Sequence, residues 1–262
     1  MSIFGALSPL YAGSGLAIGF IVGLTGVGGG SLMTPLLVLL FGVHPATAVG
    51  TDLLYAGVTK MAGTAVHGSR GGVNWRLVGL LALGSLPASA ATIAGLNSLG
   101  LQNNAASRLI SLALGIALVV TATSLVLRER LITLSKGASA MPARRQAFLT
   151  ITTGAIIGVL VSVSSVGAGA IGVTALFFLY PQLPARVIVG SDIAHAVPLT
   201  LIAGAGHWFY GSVDGTMLAS LLTGSLPGIV AGSLLAPHVP DKALRIVLAI
   251  ILLVVAGRLI AV

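Results

Sequence analysis

Apolar positions do not alternate along this chain; they run on. Stretches near 20 residues long recur from one end to the other, broken by short polar or glycine-rich intervals. Runs of that length predict membrane-spanning helices, since about 20 residues cross a bilayer core of roughly 30 Å. No period of two is present, which argues against a transmembrane barrel. The runs fall into two sets of five: about 9–26, 29–42, 46–66, 77–96 and 107–127, then about 148–166, 169–180, 185–206, 216–235 and 243–261. The second run of each set, 29–42 and 169–180, is too short to span and is expected to be half-buried or re-entrant.

The two sets are copies. GTDLLYAGVTKMAGTAVHGSRGGV from Gly50 aligns with GSDIAHAVPLTLIAGAGHWFYGSV from Gly190, and without a gap 13 of the 42 positions in 50–91 match 190–231. GFIVGLTGVGGG (Gly19 to Gly30) likewise aligns with GVLVSVSSVGAG (Gly158 to Gly169), one register off. A first transmembrane repeat is therefore expected over 1–127, a cytoplasmic linker over 128–146 and a second repeat over 147–262. Counting the Gly-flanked pair of each copy as one interrupted or re-entrant element, the expected fold is an all-α polytopic membrane protein of about eight spans.

Charge sets the orientation. The linker carries Arg128, Arg130, Lys136, Arg144 and Arg145, so it is expected in the cytoplasm. Counting spans back places the loop with Arg70 and Arg76 there too. Its copy, WFYGSVDG, holds only Asp214 and should lie outside, while the loop with Lys242 and Arg245 returns inside. Arg258 near the outer end fits less well. Equivalent loops on opposite faces mean inverted-topology repeats, an architecture common among secondary transporters.

Composition sharpens this picture. Of 262 residues 56% are hydrophobic and 7% charged, too few charges for a soluble surface. The net charge of +8 reads as loop charge facing the cytoplasm, without the aromatic-interleaved patches of a nucleic-acid binder. Cysteine is absent, which excludes disulfides and thiol chemistry. The N-terminus lacks the basic region of a cleaved signal peptide, so the first span is expected to be retained.

The glycine clusters pose the chemical question. Backbone that leaves the helix inside a bilayer survives only when buried in protein or beside a wet cavity. A helix restarting there presents N–H groups and a positive dipole end, which attract anions. Thr25, Gly28, Gly29, Gly30 and Ser31 in the first copy, and Ser164, Ser165, Gly167 and Gly169 in the second, are the candidate substrate-binding residues. Close packing between helices is the other use for such glycines. The pattern is neither a dinucleotide fingerprint nor a P-loop.

Within the spans the only acids are Asp52 and Asp192, which are repeat mates. Acids at such depth are costly and mark function, here a coupling proton or a gate; their place near the start of a run equally suits a helix cap. Tyr55 and His195 are mates three residues further on, on the same helical face. His67 and His207, also mates, fall about 22 Å along a helix from the acids and suit either gating or an interfacial anchor. Lys60, two turns after Asp52, could attract an anion or snorkel. No His/Glu spacing builds a metal site, and no cofactor is implied.

The stretch GFIVGLTGVGGGSLMTPLLVLLFGVHPATAVGTD resembles the TauE/SafE family of membrane transporters, as does the weaker copy SSVGAGAIGVTALFFL…ARVIVGSDIAHAVP. The second copy departs from the pattern by carrying SSVGAG in place of a fuller glycine motif. The resemblance covers nearly the whole chain. It implies about eight spans in the cell (inner) membrane and export of a small anion: sulfite, a sulfonate or a related organic acid. An anion channel and a non-transporting scaffold are the rival readings, and an enzyme is not expected. The partners expected are the anionic solute and the lipid bilayer, with no nucleic acid; assembly as a homo-oligomer stays open.

Overall fold

The computed structural model describes residues 8–25, 30–69, 71–100, 104–136, 141–167, 169–235 and 238–261. These form helices and no strand: α1 (Pro9–Thr25), α2 (Gly30–Leu39), α3 (Pro45–Ser69), α4 (Trp75–Ser98), α5 (Asn104–Lys136), α6 (Ala143–Ser164), α7 (Ala170–Leu179), α8 (Ala185–Phe209), α9 (Gly215–Leu235) and α10 (Asp241–Ile260). The ten elements match the ten apolar runs. The main boundary difference is at α5, which continues through Lys136, so the first half of the expected linker is helical. Among the described residues six helices (α4, α5, α6, α8, α9 and α10) are long and apolar enough to cross a membrane.

Helix ends follow local chemistry. Asn74 starts α4, its side chain accepting from the Leu77 amide at 3.2 Å. Its mate Asp214 starts α9 in the same way, accepting from the Met217 amide at 2.9 Å. Gly71 and Gly211, again mates, end α3 and α8 with φ of 64° and 74°, a left-handed turn that favours glycine.

Packing pairs the first helix of each copy with the fourth of the other. On α1, Gly15, Gly19 and Gly23 lie against the backbone of Leu221, Ser225 and Ile229 on α9. On α6, Gly154 and Gly158 lie against Leu81 and Ser85 on α4, which are the mates of Leu221 and Ser225. Gly224 faces the Ala12 carbonyl and its mate Gly84 faces the Ile151 carbonyl. In a bilayer such backbone approach supplies the packing energy that hydrophobic burial supplies in water. The third helices meet each other. Gly50 of α3 is beside His207 and Ser212, Gly57 beside Leu201, and Leu54 beside Gly204, so α3 and α8 run antiparallel. Helices α5 and α10 do the same, with Gly115 against Ile260 at one end and Glu129 within 3.7 Å of Arg245 at the other.

The short helices double back. Gln146 at the start of α6 donates to the Leu179 carbonyl at the end of α7 (2.6 Å), and Thr150 pairs with the Tyr180 hydroxyl at 2.8 Å. Thus α7 returns to the face from which α6 enters. On that face stand the starts of α4, α6, α8 and α10 and the end of α5, bringing Arg76, Arg130, Arg144, Arg145, Arg186 and Arg245 to one side. The opposite face carries Asp214, Arg108 and Arg258.

Candidate functional site

The second-copy break lies within protein. Helix α6 stops at Ser164, and Ser165 adopts a left-handed φ of 59°. Gly167 and Gly169 follow at φ 123° and 142°, conformations that a side chain would strain. Ser164 tightens the turn, donating to the Leu160 carbonyl at 2.7 Å and accepting from the Val166 amide at 3.2 Å. Ser164, Ser165, Val166 and Gly167 are all buried. In the first copy α1 ends at Thr25 and α2 begins at Gly30. Gly28 and Gly29 lie outside the described residues, as does the side chain of Thr25; Ser31 is buried in the first turn of α2. The second copy thus stops and restarts a helix at its glycine motif; in the first copy the residues between Thr25 and Gly30 lie outside the described ones.

Each restarted helix is faced by a carboxylate from a third helix. Asp52, fully buried, accepts from the Thr34 amide at 3.2 Å and the Thr34 hydroxyl at 2.5 Å, both on one oxygen, Oδ2. Asp52 is the eighth residue of α3, so it caps no turn of its own helix; it holds the N-terminal half of α2 instead. Asp192 is also buried, and its Oδ1 rests on Gly172 in the first turn of α7 so closely that a Cβ there would overlap it. That oxygen has no hydrogen-bond partner among the described residues.

The remaining candidates divide. His195 bonds through Nε2 to Ser85 Oγ at 2.7 Å, while the buried hydroxyl of its mate Tyr55 has no hydrogen-bond partner among the described residues. Lys60 and its mate Thr200 lie near the middle of the α3–α8 crossing, with Asp52 and Asp192 toward its two ends. His207 is not an interfacial anchor: it is fully buried, its Nε2 3.0 Å from the Ser162 carbonyl oxygen, and it stands apart from the acids. The side chain of His67 lies outside the described residues. No group of three metal-ligating side chains comes together among the described residues.

Sequence reasoning passed over Thr34, Gly172, Thr51 and Ser191. The last two are mates, each preceding an acid, and each reaches across to the other copy. Thr51 accepts from the Asp214 amide at 3.2 Å and Ser191 from the Asn74 amide at 2.8 Å. Asn74 and Asp214 are the caps of α4 and α9, so each latch ties a third helix to a loop of its counterpart. The hydroxyl mates of GTD and GSD were the available signal.

Long apolar helices, a strongly cationic face and acid-faced helix breaks at depth define a multi-pass membrane transporter. The profile of the family described as Sulfite exporter TauE/SafE matches residues 11–259, and the chain belongs to that family. It is 39% identical over 249 residues to the "Probable membrane transporter protein YjnA" of Bacillus subtilis (strain 168), covering 94% of this chain and 97% of that one. It is 29% identical over 226 residues to a "Probable membrane transporter protein" of Xylella fastidiosa (strain Temecula1 / ATCC 700964), covering 86% and 83%. No solved structure matches the chain.

Proposed function

We propose that this protein is a secondary transporter that exports a small oxyanion, sulfite or an organosulfur acid, across the cell (inner) membrane by alternating access. The family description supplies sulfite and export; the residues supply the anion. The observation that carries the reading is a pair of short helices, α2 and α7, each faced by a buried carboxylate, on either side of an antiparallel crossing of repeat mates. Antiparallel mates support inverted copies related by a two-fold axis in the membrane plane. Counting α1 and α3 beside the six helices long and apolar enough to cross makes eight spans, with α2 and α7 as re-entrant halves. The cationic face is then cytoplasmic. Asp52 holds donors of α2 that a substrate anion would seek and Asp192 rests on the first turn of α7, so protonation of an acid makes room for substrate and couples the two.

Rocking of one copy against the other moves the α3–α8 crossing and exposes Lys60 to each side in turn. The test is counterflow of radiolabelled sulfite in proteoliposomes. Saturable uptake that is accelerated by internal sulfite supports a carrier. Flux that rises without saturation and shows no counterflow identifies a channel and refutes alternating access. Engineered cysteine pairs locking α3 to α8 should stop flux, in a chain with no cysteine of its own.

A further inference from the structure

Helix α6 ends where its hydrogen bonds change partner. Its last regular bond runs from the Ser165 amide to the Val161 carbonyl at 2.7 Å. The next would join the Val166 amide to the Ser162 carbonyl, but the Val166 amide bonds to Ser164 Oγ instead, at 3.2 Å. The Ser162 carbonyl is thereby the first of those that a helix end leaves without an intrahelical donor. It is not left bare, because His207 of α8 places Nε2 3.0 Å from it. A carbonyl oxygen only accepts, so Nε2 carries the hydrogen and donates it. Both residues are fully buried, where an unpaired acceptor is costly. Two further contacts hold this node. The Ser162 hydroxyl donates to Ser89 Oγ of α4 at 2.7 Å. Gly50 of α3 lies so close to the His207 Cβ that a side chain there would overlap it.

We propose that His207 is a positioning residue of the anion site: it caps the broken end of α6 and so holds the 165–169 turn open. This deepens the anion-transport reading and rests on it. Without the imidazole donor, the amide that helix geometry offers the Ser162 carbonyl is that of Val166, four residues on, which is the bond of a continuing helix. Making that bond would wind Ser165 out of its left-handed φ of 59° and draw Val166 and Gly167 into α6. The turn that carries the chain back into α7 would shorten, and the first amides of α7 would leave the place where an anion meets them. His207 itself touches no transported ion. It decides which donor the Ser162 carbonyl uses, and with that where α6 stops.

Two measurements decide the point. The first needs no substrate: nitrogen NMR of the purified protein isotope-labelled at histidine, with the His207 signals identified by their loss in His207→Gln. His207 should carry its hydrogen on Nε2; a hydrogen on Nδ1 with Nε2 bare overturns the capping role. The second is sulfite counterflow in proteoliposomes, with KM and maximal rate read separately. A glutamine amide reaches the position of Nε2 and can donate to the carbonyl, whereas an asparagine amide reaches only that of Nδ1. His207→Gln should therefore keep the wild-type KM, and His207→Asn should raise it about tenfold, the scale set by one buried acceptor left unpaired. Where the asparagine variant does not run as a single species, His207→Leu, which has no donor, takes its place. A KM raised alike in both variants, in neither, or in the glutamine variant alone overturns the assignment. If wild type shows no counterflow with sulfite, methanesulfonate or acetate, the transport reading falls, and the NMR spectrum still decides whether His207 caps α6.

Discussion

Replacing Thr51 by valine keeps the side chain's shape and deletes one acceptor. The Asp214 amide, 3.2 Å away, then loses its link from the start of α9 to α3. At the opposite face Ser191→Ala does the same to the Asn74 amide, bonded at 2.8 Å. A net hydrogen bond of this kind contributes roughly 1 kcal/mol, which is about a fivefold change in a two-state equilibrium. If the two latches close opposite faces, each variant favours the state open on its own side. Val213 and Val73, half-buried mates beside the two latches, are suitable reporters when changed singly to cysteine in this cysteine-free chain. In right-side-out vesicles an impermeant maleimide should label Val213→Cys about fivefold faster with Thr51→Val. Ser191→Ala should slow that labelling and instead speed labelling of Val73→Cys in inverted vesicles. Joining the two substitutions should return both rates close to their starting values. Rates that move together at both faces, or not at all, would show that the hydroxyls tie loops without biasing any opening.

Gly224→Ala pushes a methyl into the Ala12 carbonyl and should destabilise the α1–α9 crossing by about 1–3 kcal/mol, seen as a lower melting temperature in detergent; Gly13→Ala, with open space around it, should leave the melt in place. Gly172→Ala gains helix propensity, about 1 kcal/mol in an open helix. It evicts the Asp192 carboxyl, so sulfite counterflow should fall at least tenfold even where the melt is unchanged. Thr34→Val removes the shorter of the two Thr34 bonds to Asp52, a bond to an ionised group worth about 1.5–3 kcal/mol; Thr34→Ser should restore most of that loss in the same melt.

How much of this could be read before any coordinates? The helices could, because runs of 20 apolar residues have one use in a bilayer. The short pairs at 29–42 and 169–180 were legible for the same reason turned round: roughly 12–14 residues cannot cross, so something must bring the chain back. Asp52, Asp192, Tyr55 and His195 stood out because polar groups inside apolar runs are few. Their partners were hidden. Ser85 looks like any small residue of a packing face, and only the approach of α4 to α8 brings it to His195. Gly172 was silent because a missing side chain leaves no mark in a chain with 36 glycines. His207 misled because distance from the acids along one helix says nothing about the neighbour pressing on its other side, here α6 through the Ser162 carbonyl. The capping reading of Asp52 misled by being half right: the carboxylate does meet helix amides, but those of α2.

A repeat that folds into two inverted copies faces a difficulty that the loops resolve. Identical copies would give both membrane faces the same charge, and insertion would have no preferred direction. Here the cations on one face have neutral mates on the other: Arg76 stands where the second copy has Thr216, Arg186 where the first has Ala46, and Arg245 where the first has Ala105. The interior shows the opposite economy. Acids, latch hydroxyls, helix caps and the contact glycines Gly15, Gly19 and Gly84 have mates of the same kind in the other copy, where the halves meet at the crossings. Symmetry is retained where the halves touch and dropped where the chain meets the two aqueous phases. Differences inside, such as Lys60 against Thr200, Tyr55 against His195 and Thr34 against Val173, then mark where the two copies offer different chemistry.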